Sequence, residues 1–357
     1  MSLALLGIPS QAAAVRYETL HGFSEGPIAP SAAVIQASDG MIYGVTEQGG
    51  GNGHGTVFRM LPDGLAFTTL VQFTKDGTTN AGKAPVAELL EWSDGTHRYF
   101  YGTTNQGGAY GLGTVFRMTP DGALETLIHF TGISGANRGS NPQGTLILAA
   151  DGGIYGTTHL GGDHDQGTIF RMTPAGALMT LFHFDSANAA SSGAFPSAGL
   201  IESLSLGSFY GNTSGGGATG HGTVFKYTPG GDMVTLVEFT GETGPVMGDG
   251  PAAPLTRASD GNYYGTTKFG STYGGYDDQG TIFKMTPSGT FTLLAAFIFP
   301  AVGEHRGMWP QGALVEGDDG NLYGTTYRGG WSDYGTVFRI SKSGGLTTLV
   351  DFNHDLI

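Results

Sequence analysis

Short runs of β-branched and aromatic residues alternate along the chain with glycine-centred turns, and no stretch repeats apolar residues at helical spacing. One pattern of apolar and polar positions returns six times. It begins with Tyr-Gly, most often followed by Thr-Thr, runs through a glycine-rich stretch, and ends in Gly-Thr-Val/Ile-Phe-Arg/Lys. Its tyrosines are Tyr43, Tyr101, Tyr155, Tyr210, Tyr264 and Tyr323, separated by 54 to 59 residues. A strand-rich repeat of that length predicts an all-β, six-bladed β-propeller with four antiparallel strands per blade.

Within the third unit the pattern predicts strand A over Gly144–Ala149, B over Gly153–Thr158, C over Thr168–Thr173 and D over Ala177–Phe184. The A–B turns carry Asp-Gly (Asp39-Gly40, Asp94-Gly95, Asp151-Gly152, Asp260-Gly261, Asp319-Gly320), a pair suited to positive φ in tight hairpins. The C–D turns carry proline and glycine, as in Pro62-Asp63-Gly64 and Pro120-Asp121-Gly122. Antiparallel order puts all these tight turns on one face. The long D–A and glycine-rich B–C connections fall on the other, where function is expected.

Composition narrows the chemistry. The 357 residues contain no cysteine, which excludes disulfides, thiolate nucleophiles and cysteine-held metals. Sixteen basic against thirty acidic residues give a net charge of −14, which argues against nucleic acid. With 39% hydrophobic residues the chain can build a core, and the 64 glycines recur in register as turn markers. Leu3–Ile8 followed by Ala12-Ala13-Ala14 reads as the remnant of an export signal or an alanine-rich tail, with one propeller domain over 15–357. No apolar run is long enough to span a membrane, and the expectation is a monomer, secreted or periplasmic.

The unit Asp-Gly-x-Leu-Tyr-Gly-Thr-Thr-x-x-Gly-Gly…Gly-Thr-Val-Phe-Arg, cleanest from Asp319 to Arg339, resembles the GloVer (Gloeo-Verruco) tandem repeat. The resemblance implies an extracellular bacterial protein and runs over nearly the whole chain. It carries no set of catalytic residues across. The fourth copy departs from it, with Tyr210-Gly211-Asn212-Thr213 and no Asp-Gly turn. Tyr17-Glu18-Thr19-Leu20 followed by Phe23 resembles strand D, as in Leu124–Leu127 and Phe130, so the sequence holds seven D-like segments for six A–B–C sets. The termini are expected to meet at the closing blade.

Comparing the six copies separates scaffold from candidate site. The strand-C base (Arg59, Arg117, Arg171, Lys226, Lys284, Arg339) and its preceding Phe recur every time, which assigns them to blade packing. The residue after Thr-Thr differs in every copy: Glu47, Asn105, His159, Ser214, Lys268 and Tyr327. A polar ring that breaks the repeat is the expected form of a site grafted on a symmetric scaffold. Loops of units five and six add Tyr276, His305, Arg306, Trp309, Arg328 and Trp331.

Three readings stay open. In a polysaccharide lyase acting at a uronate, Arg328, Arg306 or Lys268 would neutralise the carboxylate. His159 or Tyr327 would then move the protons. In a glycoside hydrolase, Glu47 would pair with Asp165, Asp278 or Asp333. In a glycan-binding or adhesion module, Trp309 and Trp331 would stack on the apolar faces of sugar rings. The partner in the first two is a polysaccharide or oligosaccharide, and no cofactor is required. Asp163, Asp165, Asp277 and Asp278 supply hard oxygen ligands of the kind calcium takes, without EF-hand spacing.

Overall fold

The computed structural model describes residues 27–188, 193–204, 207–273, 276–277, 279–297 and 307–353, with backbone alone at 232, 272–273 and 276–277. Six four-stranded antiparallel sheets follow one another along the chain, each in the simple order A-B-C-D. They form a six-bladed β-propeller. Blade 3, for example, is built from Ile147–Leu148, Ile154–Thr158, Thr168–Met172 and Leu178–His183. Strand A is shorter than the sequence pattern predicts. Only Ile147 and Leu148 join the ladder, because Gln143–Thr145 run along the axis and line its cavity.

The repeat is legible atom by atom. Strand-B glycine (Gly44, Gly102, Gly156, Gly211, Gly265, Gly324) lies under the strand-C phenylalanine, whose Cζ would stand 2.5 Å from any added Cβ. Only glycine leaves that ring flat on the sheet. The second threonine of Thr-Thr bonds the threonine that opens strand C at 2.7–2.9 Å in every blade, both hydroxyls buried. The same hydroxyl donates to the carbonyl two residues on, fixing where the B–C loop departs.

Each C–D pair also carries one bulge, with an extra leucine in strand D: Leu70, Leu127, Leu181, Leu236, Leu294 and Leu349. Four of them press on the C–D turn of the next blade, at Gly122, Gly176, Gly289 and Gly344. Three residues on, Phe73, Phe130, Phe184, Phe239 and Phe297 meet the next blade's strand-C phenylalanine edge-on at 5.2–5.5 Å. Five apolar clusters therefore join blades 1–2, 2–3, 3–4, 4–5 and 5–6. Burial of aromatic surface between blades is the main stabilising term, at about 1.5–3 kcal/mol per fully buried large side chain.

The strand-C bases serve the scaffold. Arg59 and Arg117 donate to the carbonyls of Pro120 and Pro174 in the following blade. Arg171 and Lys284 instead pair with Asp151 and Asp260 of their own A–B turns. Burial pulls the Asp260 carboxyl upward, but bonds from Asn262, Tyr264 and Lys284 outweigh it and hold the group well below the usual carboxylate range. Among the described residues, no helix is long and apolar enough to cross a membrane.

Candidate functional site

A second repeated element organises the loop face. Each D–A connection ends in a proline (Pro30, Pro85, Pro142, Pro196, Pro251, Pro310), and the residue before it has φ between 53° and 62°. These pre-proline residues are Ala29, Ala84, Asn141, Phe195, Gly250 and Trp309. Their carbonyls accept from the backbone N–H of Glu47, Asn105, His159, Ser214, Lys268 and Tyr327, respectively, at 2.9–3.2 Å. Five of them also donate to the preceding blade, at the carbonyl of His54, Leu112, Gln166, His221 or Gln279. The glycine after each of those carbonyls has positive φ, and a Cβ there would strike the next blade's proline Cδ at 2.5–2.8 Å.

This pairing decides what the variable ring can do. The ring residues face the pre-proline positions, not the axis. A cavity of about 330 Å³ on the axis is lined by the residues after each proline, among them Ser31, Glu88, Gln143, Ser197 and Gln311. No member of the Glu47–Tyr327 ring lines it. Glu88 is the single carboxylate of that lining, half-buried, and burial pushes its carboxyl up. The sequence reading missed both the proline register and Glu88, although six prolines at matching positions announce the former.

His159 and Tyr327, members of the variable polar ring, stand three blades apart. His159 is mostly enclosed: its ring lies 5.6 Å from that of Phe195 and faces the Pro196 carbonyl. Burial pushes its imidazole below the usual histidine range, against that carbonyl's opposing pull. It wedges blades 3 and 4 together. Asn105, one blade earlier, has its carbonyl bonded by Asn141. Glu47 is half-buried on blade 1.

Blades 5 and 6 bring three of the expected residues onto the indole of a fourth, Trp309. Tyr327 stacks beside Trp309 at 6.5 Å and 19°. Lys268 Nζ lies 5.8 Å and Arg328 Cζ 5.6 Å from the Trp309 ring centroid, with Phe269 edge-on at 6.1 Å. A cation over an indole is attracted by the negative face of the ring. Outside this core the surface carries exposed aromatics: Tyr327 is 65% exposed, Trp331 74% and Tyr334 46%. Trp309 itself is a bulky residue held in left-handed backbone, a conformation that costs about 1–2 kcal/mol. Blade 5 meets the same geometric demand with glycine. Asp333 caps the N–H of Gly329 and approaches Arg328 at 3.4 Å, which fixes the loop's shape.

The acids proposed for metal are otherwise engaged or undescribed. Asp163 pairs with Arg138 and Asp165 caps the N–H of Gly161. Tyr276 and Asp277 form a two-residue ladder with Tyr273 and Thr272. Asp278, His305 and Arg306 lie outside the described residues. Among those described, no group of three or more His, Asp or Glu is placed to hold a metal ion.

Six blades about one axis, with an irregular loop face over regular turns, define the class: a six-bladed β-propeller. Within it the chain belongs to the Gloeobacter/Verrucomicrobia repeat family, whose model matches residues 10–205 and 188–356. No curated protein matches its sequence. Solved structures similar to it include a candidate 6-phosphogluconolactonase from Bacteroides uniformis (TM-score 0.55, 16% identity, 91% of this chain, 85% of that one). A GH74 xyloglucanase from Xanthomonas campestris gives a TM-score of 0.57 at 15% identity, over 91% of this chain and 46% of that one. The extracellular domain of a candidate hybrid two-component system from B. thetaiotaomicron gives 0.56 at 11%, over 95% and 35%. At these identities the likeness concerns the fold alone.

Proposed function

We propose that this propeller binds a glycan on its loop face, and that the cluster of blades 5 and 6 reads an acidic sugar. The observation that carries this reading is the pair of cations, Lys268 and Arg328, over Trp309 beside the exposed ring of Tyr327, with the exposed Trp331 on the same loop as Arg328. An exposed indole or phenol covers the apolar C–H face of a sugar ring. An arginine fork matches a carboxylate or sulfate in two parallel bonds. The protein's overall negative charge repels such a ligand at long range, so recognition depends on this local reversal of sign.

Binding without cleavage is favoured over either chemistry. Elimination at a uronate needs a base near the group that neutralises the carboxylate. Among the described residues, His159 stands three blades from Arg328, and the titratable groups beside that cation are Asp333, paired with it, and the phenol of Tyr327. Hydrolysis needs two carboxylates flanking the bond. The axial cavity offers Glu88 alone. In an exported protein, such a face would serve capture of a polysaccharide.

The test is retention of the full chain on immobilised uronate-containing and neutral polysaccharides, with unsaturated ends and new reducing ends read in the same incubation. Retention by the acidic polymer, lost in Trp331→Ala and Arg328→Gln, is the expected result. Equal retention on both polymers, or retention unchanged in both variants, contradicts the proposal.

A further inference from the structure

The axial cavity holds a carboxylate that the scaffold does not use. Glu88 is half-buried on blade 2, and among the described residues it accepts no hydrogen bond and forms no ion pair. The glutamates of the turn face behave differently. Glu91, Glu202 and Glu316 each accept from a backbone N–H of the neighbouring blade, at Ser38, Ala150 and Ser259. Burial, with nothing to offset it, pushes the Glu88 carboxyl up. An acid kept half out of water without a partner costs stability, and such groups concentrate where a ligand completes them.

The rest of the cavity is uncharged: no lysine, arginine or histidine and no second acid lines it. Its walls also differ from one another. The ring of six sets blades 1 and 4, 2 and 5, and 3 and 6 on opposite sides of the axis. Directly after the prolines, Ser31 stands opposite Ser197, and Gln143 opposite Gln311. Two positions further on, the counterpart of Glu88 is Pro254, and the remaining copies carry alanine, threonine, glycine and alanine there. One wall is therefore charged and the opposite one apolar, with hydroxyls and amides between them. Those side groups both donate and accept. At about 330 Å³ the cavity lies at the small end of ligand pockets, with room for one sugar ring and not for a chain. It is reached from the loop face, because Gln143–Thr145 precede the strand-A ladder that starts at Ile147.

We propose that this cavity binds a single amino sugar, a monosaccharide-sized polyol whose ammonium group rests on Glu88. A half-buried carboxylate with no cation of its own gains most from a ligand that brings one. The bond between them is charge-assisted and so stronger than a neutral one. The serine hydroxyls and glutamine amides match the hydroxyls of a sugar ring, and Pro254 offers an apolar wall to its C–H groups. The net charge of −14 draws a cation towards the protein and repels an anion. The acidic sugar assigned to blades 5 and 6 is thereby kept out of the cavity, and the present proposal does not rest on that reading.

The test is calorimetric titration of glucosamine, glucose and N-acetylglucosamine into the full chain near neutral pH, as wild type, Glu88→Gln and Ala313→Leu. Ala313 lines the cavity from blade 6 and is exposed, so a leucine there fills space without entering the core. Wild type should bind glucosamine at least about tenfold more tightly than either neutral sugar. Glu88→Gln should lose that preference while its melting temperature holds or rises, since the change removes an uncompensated charge. Ala313→Leu should bind none of the three. Neutral sugars bound as tightly as glucosamine, or no binding of glucosamine at millimolar concentration, would overturn the proposal. So would a glucosamine affinity that survives Glu88→Gln, which would mark general attraction to an acidic surface. Should Glu88→Gln fail to fold, Ala313→Leu decides: lost glucosamine binding supports the cavity, and retained binding refutes it. Retention on acidic polysaccharide should be equal in wild type and Glu88→Gln, so a failure at the cavity is read apart from one at blades 5 and 6.

Discussion

Blades 3 and 6 place their variable residue in the same backbone setting and put it to opposite uses. His159 and Tyr327 both follow Thr-Thr, and both donate a backbone N–H to a pre-proline carbonyl. Each has a left-handed aromatic beside it, Phe195 or Trp309. In blade 3 the ring closes over the histidine and shuts it in. In blade 6 the indole lies under the tyrosine, holds two cations and leaves the phenol facing solvent. Position in the repeat therefore fixes where a side chain starts. The neighbour contributed by a distant loop fixes whether it becomes mortar or surface.

The largest expected effect lies in what both regions share. Phe170→Ala removes a ring buried between blades 2 and 3 and should cost about 3–5 kcal/mol, read as a lower denaturation midpoint. Affinity for glycan, measured below the melting range, should hold. Loss of affinity with stability intact would dissolve the division between scaffold and surface.

Next comes the contrast itself. Arg328→Gln should weaken acidic-glycan binding by roughly ten- to a hundredfold, as expected for a bond to a charged group worth about 1.5–3 kcal/mol. Its melting temperature should barely move, since the side chain is half-exposed. His159→Gln should behave in the reverse manner, losing stability of about 1–2 kcal/mol and no affinity.

The histidine also predicts a pH dependence. Burial lowers its folded pKa, so the unfolded chain binds more protons below the ordinary histidine value of about 6.5. Its stability contribution is complete above that value and falls as pH drops towards the folded pKa. Denaturant titrations of wild type and His159→Gln between pH 7.5 and about 5 should converge on the acid side. Parallel curves would place the imidazole in solvent.

The smallest effect concerns the repeated bases. Arg117→Ala breaks its bonds to Pro174 and Glu125 and should cost about 1 kcal/mol, since half of that network is exposed. Binding should be unaffected. A drop in affinity equal to that of Arg328→Gln would mean that the bases form a functional ring after all.

The fold was legible because each structural demand leaves a residue behind. Tyr-Gly records a ring laid on a sheet, Gly-Thr a left-handed turn against a proline, and Asp-Gly a hairpin. The site was half legible. Tyr327, Arg328 and Lys268 could be picked out as breaks in the repeat and Trp309 as a loop aromatic, but their meeting depends on Trp309 standing before the proline of its D–A connection. His159 was picked by the same rule and turned out largely enclosed, because the Phe195 ring packs beside it. Glu88 was missed since no other copy holds an acid at its position after the proline, and only the converging strands show that these positions share a cavity.

The central claim is that an acidic sugar is read at Lys268 and Arg328 over Trp309. It is tested most directly by calorimetric titration of a uronate oligosaccharide and its carboxyl-reduced counterpart into wild type and Arg328→Gln. Wild type should prefer the acidic ligand by at least about tenfold, and the variant should lose most of that preference while still binding the reduced ligand. A preference that survives Arg328→Gln undiminished, or one absent from wild type, would contradict the account.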